Sequence, residues 1–315
     1  MFLAKINIED IDRIEIDPTD FCNLSCPGCP TPQKGTKLDW DKIKPLIEYI
    51  SKKNKITDIT ICGNGGEPLL HPNITDIIFD LYMIFPTTKI TLATNGEKFK
   101  NFNFEKLKPV GQNLLIEWSI DGHTNDIHSI TRKNGNLEKI IENFKKYSEP
   151  FDNIILTTRH KANESYLNEI YNFILKETKI KTRFRDTTRI SKKDNLLHPT
   201  NFSSSVVKIL NTKFSGSFEM LEKIYNIKPH FNFYFNPDGR LYPCAAFYYN
   251  KIKIPELNIY DMEPNQAYDL FKRFSNEYCN FHRKTKECDH TRCCLECGID
   301  RTYKFDSYQE IKDKN

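Results

Sequence analysis

The sequence predicts an α/β protein: a barrel-forming series of parallel strands and helices, followed by a small loop-rich domain. Six strand–helix alternations fill the first two-thirds of the chain, which is the mark of parallel βα units. Each segment rich in Cys, Gly, Asn or Asp follows the end of a strand, and this gathers them on the face where barrel active sites are built. From about Asn195 the alternation stops and cysteines crowd together, as in a small domain that uses a metal in place of an apolar core. The expected division is therefore 1–195 and 196–315.

Arg13 to Asp17 alternates polar and apolar residues and reads as the first strand, with a cysteine loop after it. Asp39 to Ser51 places Trp40, Ile43, Leu46, Ile47 and Ile50 at helical spacing, with Asp39 as N-cap. Ile56 to Cys62 is a β-branched strand that runs into Gly63-Asn64-Gly65-Gly66. Pro72 to Phe85 reads as helix, and Lys89 to Ala93 as a strand ending at Thr94-Asn95-Gly96. Asn113 to Ile120 is a strand ending at Asp121-Gly122. Leu137 to Tyr147 is a helix, Asn153 to Thr158 a strand, Ser165 to Lys176 a helix, and Thr182 to Arg185 the sixth strand. Beyond these, Ser204 to Asn211 is helix-like and Asn236-Pro237-Asp238-Gly239 is a turn.

At 315 residues the chain can bury a large core, and its charged and aromatic content is that of neither a disordered nor a membrane-embedded protein. No stretch approaches the roughly 18 apolar residues of a membrane span, and the N-terminus lacks a signal-peptide core, so a cytoplasmic location is expected. The net charge of +4 is too small to argue for nucleic acid, and the basic run Lys181 to Arg189 reads as a solvated surface. Ten cysteines in a reducing compartment point to metal binding or chemistry before disulfides.

Cys22, Cys26 and Cys29 are spaced C-x3-C-x2-C, close enough to converge on one cluster. Three thiolates on a four-iron cluster leave one iron open, as a catalytic site requires. A zinc site or unligated surface cysteines are the alternatives, but no fourth ligand is adjacent.

These residues resemble the signature of the radical S-adenosylmethionine superfamily. The resemblance implies a partial (β/α)6 TIM-like barrel with this motif in the loop after the first strand. It implies a 4Fe-4S cluster whose open iron binds S-adenosylmethionine, and reductive cleavage to a 5′-deoxyadenosyl radical that takes a hydrogen from substrate. A flavodoxin- or ferredoxin-type electron donor is implied as well. Gly65-Gly66-Glu67-Pro68 matches the family's GGEP motif, where glycines admit a close ligand and Glu67 or nearby carbonyls accept from an ammonium. Asn95 and Ser119 look like residues that contact the ribose or methionine, and Arg159 suits the methionine carboxylate. The residue before the third cysteine is usually aromatic in the family. Here it is Gly28, which leaves Phe21 as the candidate for adenine packing. Cys62 reads either as a hydrogen-atom donor or as a small buried residue, and Asp121, Asp186 and Cys293 are the other candidates for acid–base chemistry.

Cys244, Cys279, Cys288, Cys293, Cys294 and Cys297 form a second set. With Phe235 to Cys244 ahead of Cys294-Leu295-Glu296-Cys297, it resembles the SPASM/twitch extensions of radical enzymes. The resemblance implies an auxiliary 4Fe-4S cluster on Cys244, Cys294, Cys297 and either Cys279 or Cys288, with a second, partly ligated cluster as the alternative for the remaining thiols. A structural zinc site using His282 or His290 is the alternative. Such an architecture implies modification of an unactivated C–H bond in a peptide or protein by a maturase-type oxidoreductase. Against a peptide stands the position of Cys22, close to the start, which leaves no room for a leader-binding domain. A dehydrogenase of a small sugar or aminocyclitol is the runner-up, and a non-catalytic iron–sulfur sensor or nucleic-acid module the third reading.

Overall fold

A computed structural model of the chain describes residues 8–27, 29, 34–63, 66–186, 232–243 and 258–285. The helix expected over 204–211 lies outside these residues, as do Gly28, Gly65, Cys244, Cys288, Cys293, Cys294 and Cys297.

All six expected strands form, with ends within two residues of their expected positions. They are β1 (Arg13–Ile16), β2 (Asp58–Ile61), β3 (Lys89–Thr94), β4 (Leu114–Ser119), β5 (Asp152–Arg159) and β6 (Thr182–Asp186). Every neighbouring pair is parallel, in the order β6-β5-β4-β3-β2-β1. One face of each strand is apolar and buried: Ile14 and Ile16, Ile59 and Ile61, Ile90 and Leu92, Leu114, Ile116 and Trp118. Helices cover that face, and each such side chain contributes roughly 1.5–3 kcal/mol by leaving water.

The helices are α1 (Trp40–Lys53), α2 (Ile74–Ile84), α3 (Phe104–Leu107), α4 (Asn125–Thr131), α5 (Leu137–Tyr147), α6 (Leu167–Thr178) and α7 (Pro264–Thr285). In α1 the buried residues are Trp40, Ile43, Leu46, Ile47 and Ile50, the same five that the 3.6-residue period selects. Asp39 stands at the N-cap position, but its side chain makes no capping bond, and its N–H donates to the Tyr260 hydroxyl at 2.9 Å. Trp40 Nε1 donates to Asp80 at 2.8 Å, tying α1 to α2.

Residues 232–243 extend the sheet. β7 (Phe233–Phe235) runs parallel to β1 with Ile14 opposite Phe233, Glu15 opposite Tyr234 and Ile16 opposite Phe235. β8 (Leu241–Tyr242) returns antiparallel through the expected Asn236–Gly239 turn, where Gly239 adopts φ +80. Phe233 and Phe235 are fully buried with the β1 isoleucines, so this short strand is held by packing as much as by its ladder. α7 packs on α1, where the Tyr268 hydroxyl donates to buried Asn54 at 2.9 Å.

Among the described residues the ladder ends at β6 on one side and β8 on the other, and its six parallel strands are those of the expected partial barrel. Its carboxyl edge carries the loops after β1, β2, β3 and β4 on one side of the molecule.

Candidate active site

The loop after β1 is closed on itself before it presents a cysteine. Thr19 Oγ1 donates to the Thr36 carbonyl at 2.7 Å, and the Thr36 N–H donates to Asp20 at 2.6 Å. The loop after β2 presses against it. The Glu67 N–H donates to the Phe21 carbonyl at 2.8 Å, and a Cβ on Gly66 would stand 2.0 Å from the Thr19 carbonyl oxygen. Only glycine allows that approach. A third clamp comes from beyond α4, where the Lys133 carbonyl accepts from the Ser25 N–H at 3.0 Å.

Within this frame Cys22 and Cys26 are half-buried and Cys29 is exposed. The Cys22 sulfur accepts from the Leu24 N–H at 3.4 Å and from Asn95 Nδ2 at 3.9 Å, the donors a bound thiolate uses. Burial, chiefly, pushes the Cys22 thiol up to about 12, with Glu67 and the two other cysteines adding to it. Burial also raises Cys26, with Arg132 acting against it and Asp121 with it. The donor chemistry fits a cluster: three cysteine sulfurs come from one short loop, two half-buried and one exposed, and N–H donors already face the Cys22 sulfur.

Glu67 is buried, and three donors from its surroundings meet its carboxylate. Oε1 accepts from Thr94 Oγ1 at 2.6 Å and the Leu69 N–H at 3.1 Å, and Oε2 accepts from the Asn95 N–H at 2.7 Å. Burial still lifts its pKa to about 7. The side chain thus braces the loop after β2 against the end of β3. Asn95 continues the chain of contacts, with Nδ2 donating to Asn23 Oδ1 at 3.0 Å and Asn23 Nδ2 donating to Glu97 at 2.9 Å.

Asp121 follows β4 and is buried in a polar cluster. Its Oδ2 accepts from Arg132 Nε at 2.7 Å, its Oδ1 accepts from the Thr158 N–H at 2.8 Å, and its carbonyl accepts from Asn163 Nδ2 at 2.9 Å. Burial alone would raise this carboxyl, but the Arg132 guanidinium, aided by His160 and His128, holds it far below the usual carboxylate range. His160 Nε2 lies 3.7 Å from Oδ2. His128, on α4, accepts from the Asp121 N–H at 3.3 Å, and burial together with Arg132 depresses it to about 4.

Asn95, Ser119 and Arg159 stand in or just beyond the last residues of adjacent strands, all three buried at the carboxyl edge. Cys62 lies on the opposite face from the apolar core, half-buried, its thiol donating to Glu15 at 3.2 Å or Asp17 at 3.3 Å. Tyr234 donates to Asp17, and Asn232 Nδ2 to Glu15 at 2.6 Å. Burial first, then these two carboxylates, raise the Cys62 thiol well above its ordinary value. Phe21 is exposed beside the cysteine loop. Cys279 falls on α7, and the remaining C-terminal cysteines lie outside the described residues.

The sequence reading missed Arg132, His128 and Glu97. His128 and Arg132 sit four apart at the end of a short polar helix, a spacing that puts both on one face. That spacing after Asp121-Gly122 was the available signal. Glu97 gave none, because its partners Asn23 and the Asn136 N–H come from distant loops.

Comparison with known proteins agrees with this geometry. The sequence matches the 7,8-dihydro-6-hydroxymethylpterin dimethyltransferase of Methanocaldococcus jannaschii at 34% identity over 149 residues, 45% of this chain and 28% of that protein. It matches the GTP 3′,8-cyclase of Clostridium perfringens at 29% identity over 145 residues, 44% of each chain. The chain thus spans less than half the length of either relative. Among solved structures, Streptococcus suis SuiB bound to S-adenosylmethionine superposes with a TM-score of 0.64 at 13% identity, covering 85% of this chain and 68% of that one. Native anSMEcpe with bound AdoMet gives 0.55 at 18%, covering 96% and 95%. At such identities the likeness is one of fold. The model of the Radical SAM superfamily matches residues 16–174, half of the chain, and the cysteine loop, the Gly66-Glu67 brace and strands β2 to β5 all lie within it. The chain belongs to the radical S-adenosylmethionine superfamily.

Proposed function

We propose that this radical S-adenosylmethionine enzyme holds its 4Fe-4S cluster on Cys22, Cys26 and Cys29 and modifies an unactivated C–H position in a peptide or protein. The cluster, when bound, supplies the electron that opens the sulfonium of S-adenosylmethionine and so starts radical chemistry. The chain's own residues supply the frame. Glu67 fixes the Gly66 loop so that backbone carbonyls can take the methionine ammonium. Asn95 and Ser119 offer polar groups to the ribose or methionine, and Arg159 a guanidinium to the carboxylate. The carboxyl-edge loops keep water from the reacting carbon.

The observation that carries the peptide reading is the likeness of fold to SuiB and anSMEcpe, which extends over 85% and 96% of this chain. In support, SuiB has been seen with its precursor peptide and anSMEcpe with a peptide. A small hydroxylated molecule is the second reading. It is favoured by the polar concave face of Glu15, Asp17, Cys62, Asn232 and Tyr234, and by relatives named for GTP and a pterin. On either reading an auxiliary cluster on Cys244, Cys294, Cys297 and Cys279 or Cys288 assists as electron acceptor or substrate site. Anaerobic turnover with a reductant and S-adenosylmethionine, scored for 5′-deoxyadenosine, separates the two. Stimulation by a peptide library with a mass change in one peptide supports the first. Stimulation by sugars or cyclitols alone refutes it.

A further inference from the structure

Glu97 has no part in the function just proposed, although it is buried, 7% exposed, beside the cysteine loop. Its oxygens meet two N–H groups. The Asn136 N–H, at the N-cap of α5, donates to Oε1 at 2.6 Å, where the helix dipole favours a carboxylate. Asn23 Nδ2 donates to Oε2 at 2.9 Å. Asn23 stands between Cys22 and Cys26, and its Oδ1 accepts from Asn95 Nδ2 at 3.0 Å. Asn95 Oδ1 in turn accepts from the Glu97 N–H at 3.0 Å. Three residues thus close a ring in which every bond runs the same way, from Glu97 to Asn95, to Asn23 and back to Glu97. The backbone N–H at its head cannot turn, so it fixes the Asn95 amide, and that amide fixes the next. What Asn23 then offers to position 97 is a donor, and only an acceptor closes the ring.

We propose that Glu97 is a positioning residue for the cluster on Cys22, Cys26 and Cys29, anchoring the stretch between the first two cysteines to the start of α5. The inference rests on the cysteine-triad reading. One end of that stretch is tied by the Ser25 N–H, which donates to the Lys133 carbonyl at 3.0 Å. The bond from Asn23 to Glu97 fixes the other end, next to Cys22. A loop held at both ends opens less often, and iron is lost to solvent when it opens. The carboxylate cannot be replaced by its own amide. In Glu97→Gln the oxygen can keep the Asn136 N–H, but the new nitrogen then meets Asn23 Nδ2, donor against donor. Turning the new amide moves the conflict to Asn136, and turning Asn23 moves it to Asn95. One buried donor stays unpaired in every arrangement.

The test holds the reconstituted full chain anaerobically with excess EDTA. Samples drawn at intervals are reduced with dithionite, and the electron paramagnetic resonance signal that S-adenosylmethionine perturbs is followed as it decays. Glu97→Gln should shorten the lifetime of that signal by about tenfold, the roughly 1.4 kcal/mol expected of one unpaired buried donor. Asn23→Asp sets two carboxylates face to face and should shorten it as much. The two changes together exchange donor and acceptor within the ring and keep its charge, so every bond is restored. The lifetime of the double variant should return to within about threefold of the parent's. A merely structural role for Glu97 predicts no such rescue, because two destabilising changes then add. An unchanged lifetime in Glu97→Gln, or a double variant no longer-lived than the single ones, overturns the proposal. Should a single variant fail to fold, the double variant decides: a lifetime near the parent's supports the proposal, and a tenfold shorter one overturns it. A parent chain with no signal perturbed by S-adenosylmethionine overturns the cysteine-triad reading, and this one with it. A parent signal whose lifetime Glu97→Gln leaves untouched overturns this one alone.

Discussion

Glu67 Oε2 accepts the backbone N–H of Asn95 at 2.7 Å, joining the loop after β2 to the end of β3 directly beside Cys22. The Thr94 hydroxyl and the Leu69 N–H bond its other oxygen, Oε1. Glu67→Gln replaces one acceptor oxygen with an amide that must face an N–H or a hydroxyl. A loss of about 1–3 kcal/mol in unfolding free energy is expected, measured by urea denaturation. A variant as stable as the parent would mean that the brace is not formed.

The approach of Gly66 to the cysteine loop leaves no room for a methyl group. A Cβ there would meet the Thr19 carbonyl oxygen at 2.0 Å and the Phe21 carbonyl oxygen at 2.9 Å, both backbone atoms that move only with the loop. Gly66→Ala should weaken S-adenosylmethionine binding by about tenfold or more, roughly 1.4 kcal/mol. Equilibrium dialysis of the reconstituted protein reads this directly, and unchanged affinity would place the ligand away from this loop.

The two buried groups His128 and Glu67 give the chain opposing pH responses. His128 falls from its ordinary 6.5 to about 4, so the unfolded chain binds more protons between these values and stability is lost as pH falls through them. Glu67 rises from 4.5 to about 7, so the folded chain binds more protons and stability is lost as pH rises through that window. Each contributes up to about 3 kcal/mol, and they offset. His128→Asn keeps an acceptor for the Asp121 N–H and removes the titration. Its stability should fall more steeply than the parent's as pH rises from 4.5 to 7. Thermal unfolding of the metal-free chain at the two ends of that window tests this, and identical slopes would contradict it.

The C-terminal cysteines carry a separate expectation. Cys294→Ala with Cys297→Ala should remove about four irons per chain and leave the S-adenosylmethionine-sensitive cluster in place. Zinc in stoichiometric amount in the parent chain would reject an auxiliary iron–sulfur cluster.

The parallel strands were legible because each isoleucine-rich run alternates over a few residues, as at Ile59 and Ile61, and α1 because five apolar residues keep one helical face. β7 was not legible as a strand. It is three consecutive aromatic residues with no alternation, and its partner β1 lies more than two hundred residues earlier. α4 is only seven residues long and mostly polar, so its period is too short to read. In the site, Cys22, Gly66, Glu67 and Asn95 announced themselves as motifs at strand ends. Arg132 did not, because its importance comes from a buried carboxylate eleven residues away and from a backbone bond between two loops.

The most direct test of the central claim is 5′-deoxyadenosine release by the reconstituted, reduced chain, beside a Cys22→Ala, Cys26→Ala, Cys29→Ala variant. The account predicts release by the parent in the presence of substrate, and none by the triple variant even though it retains its C-terminal iron. Release by the triple variant at the parent's rate would contradict it.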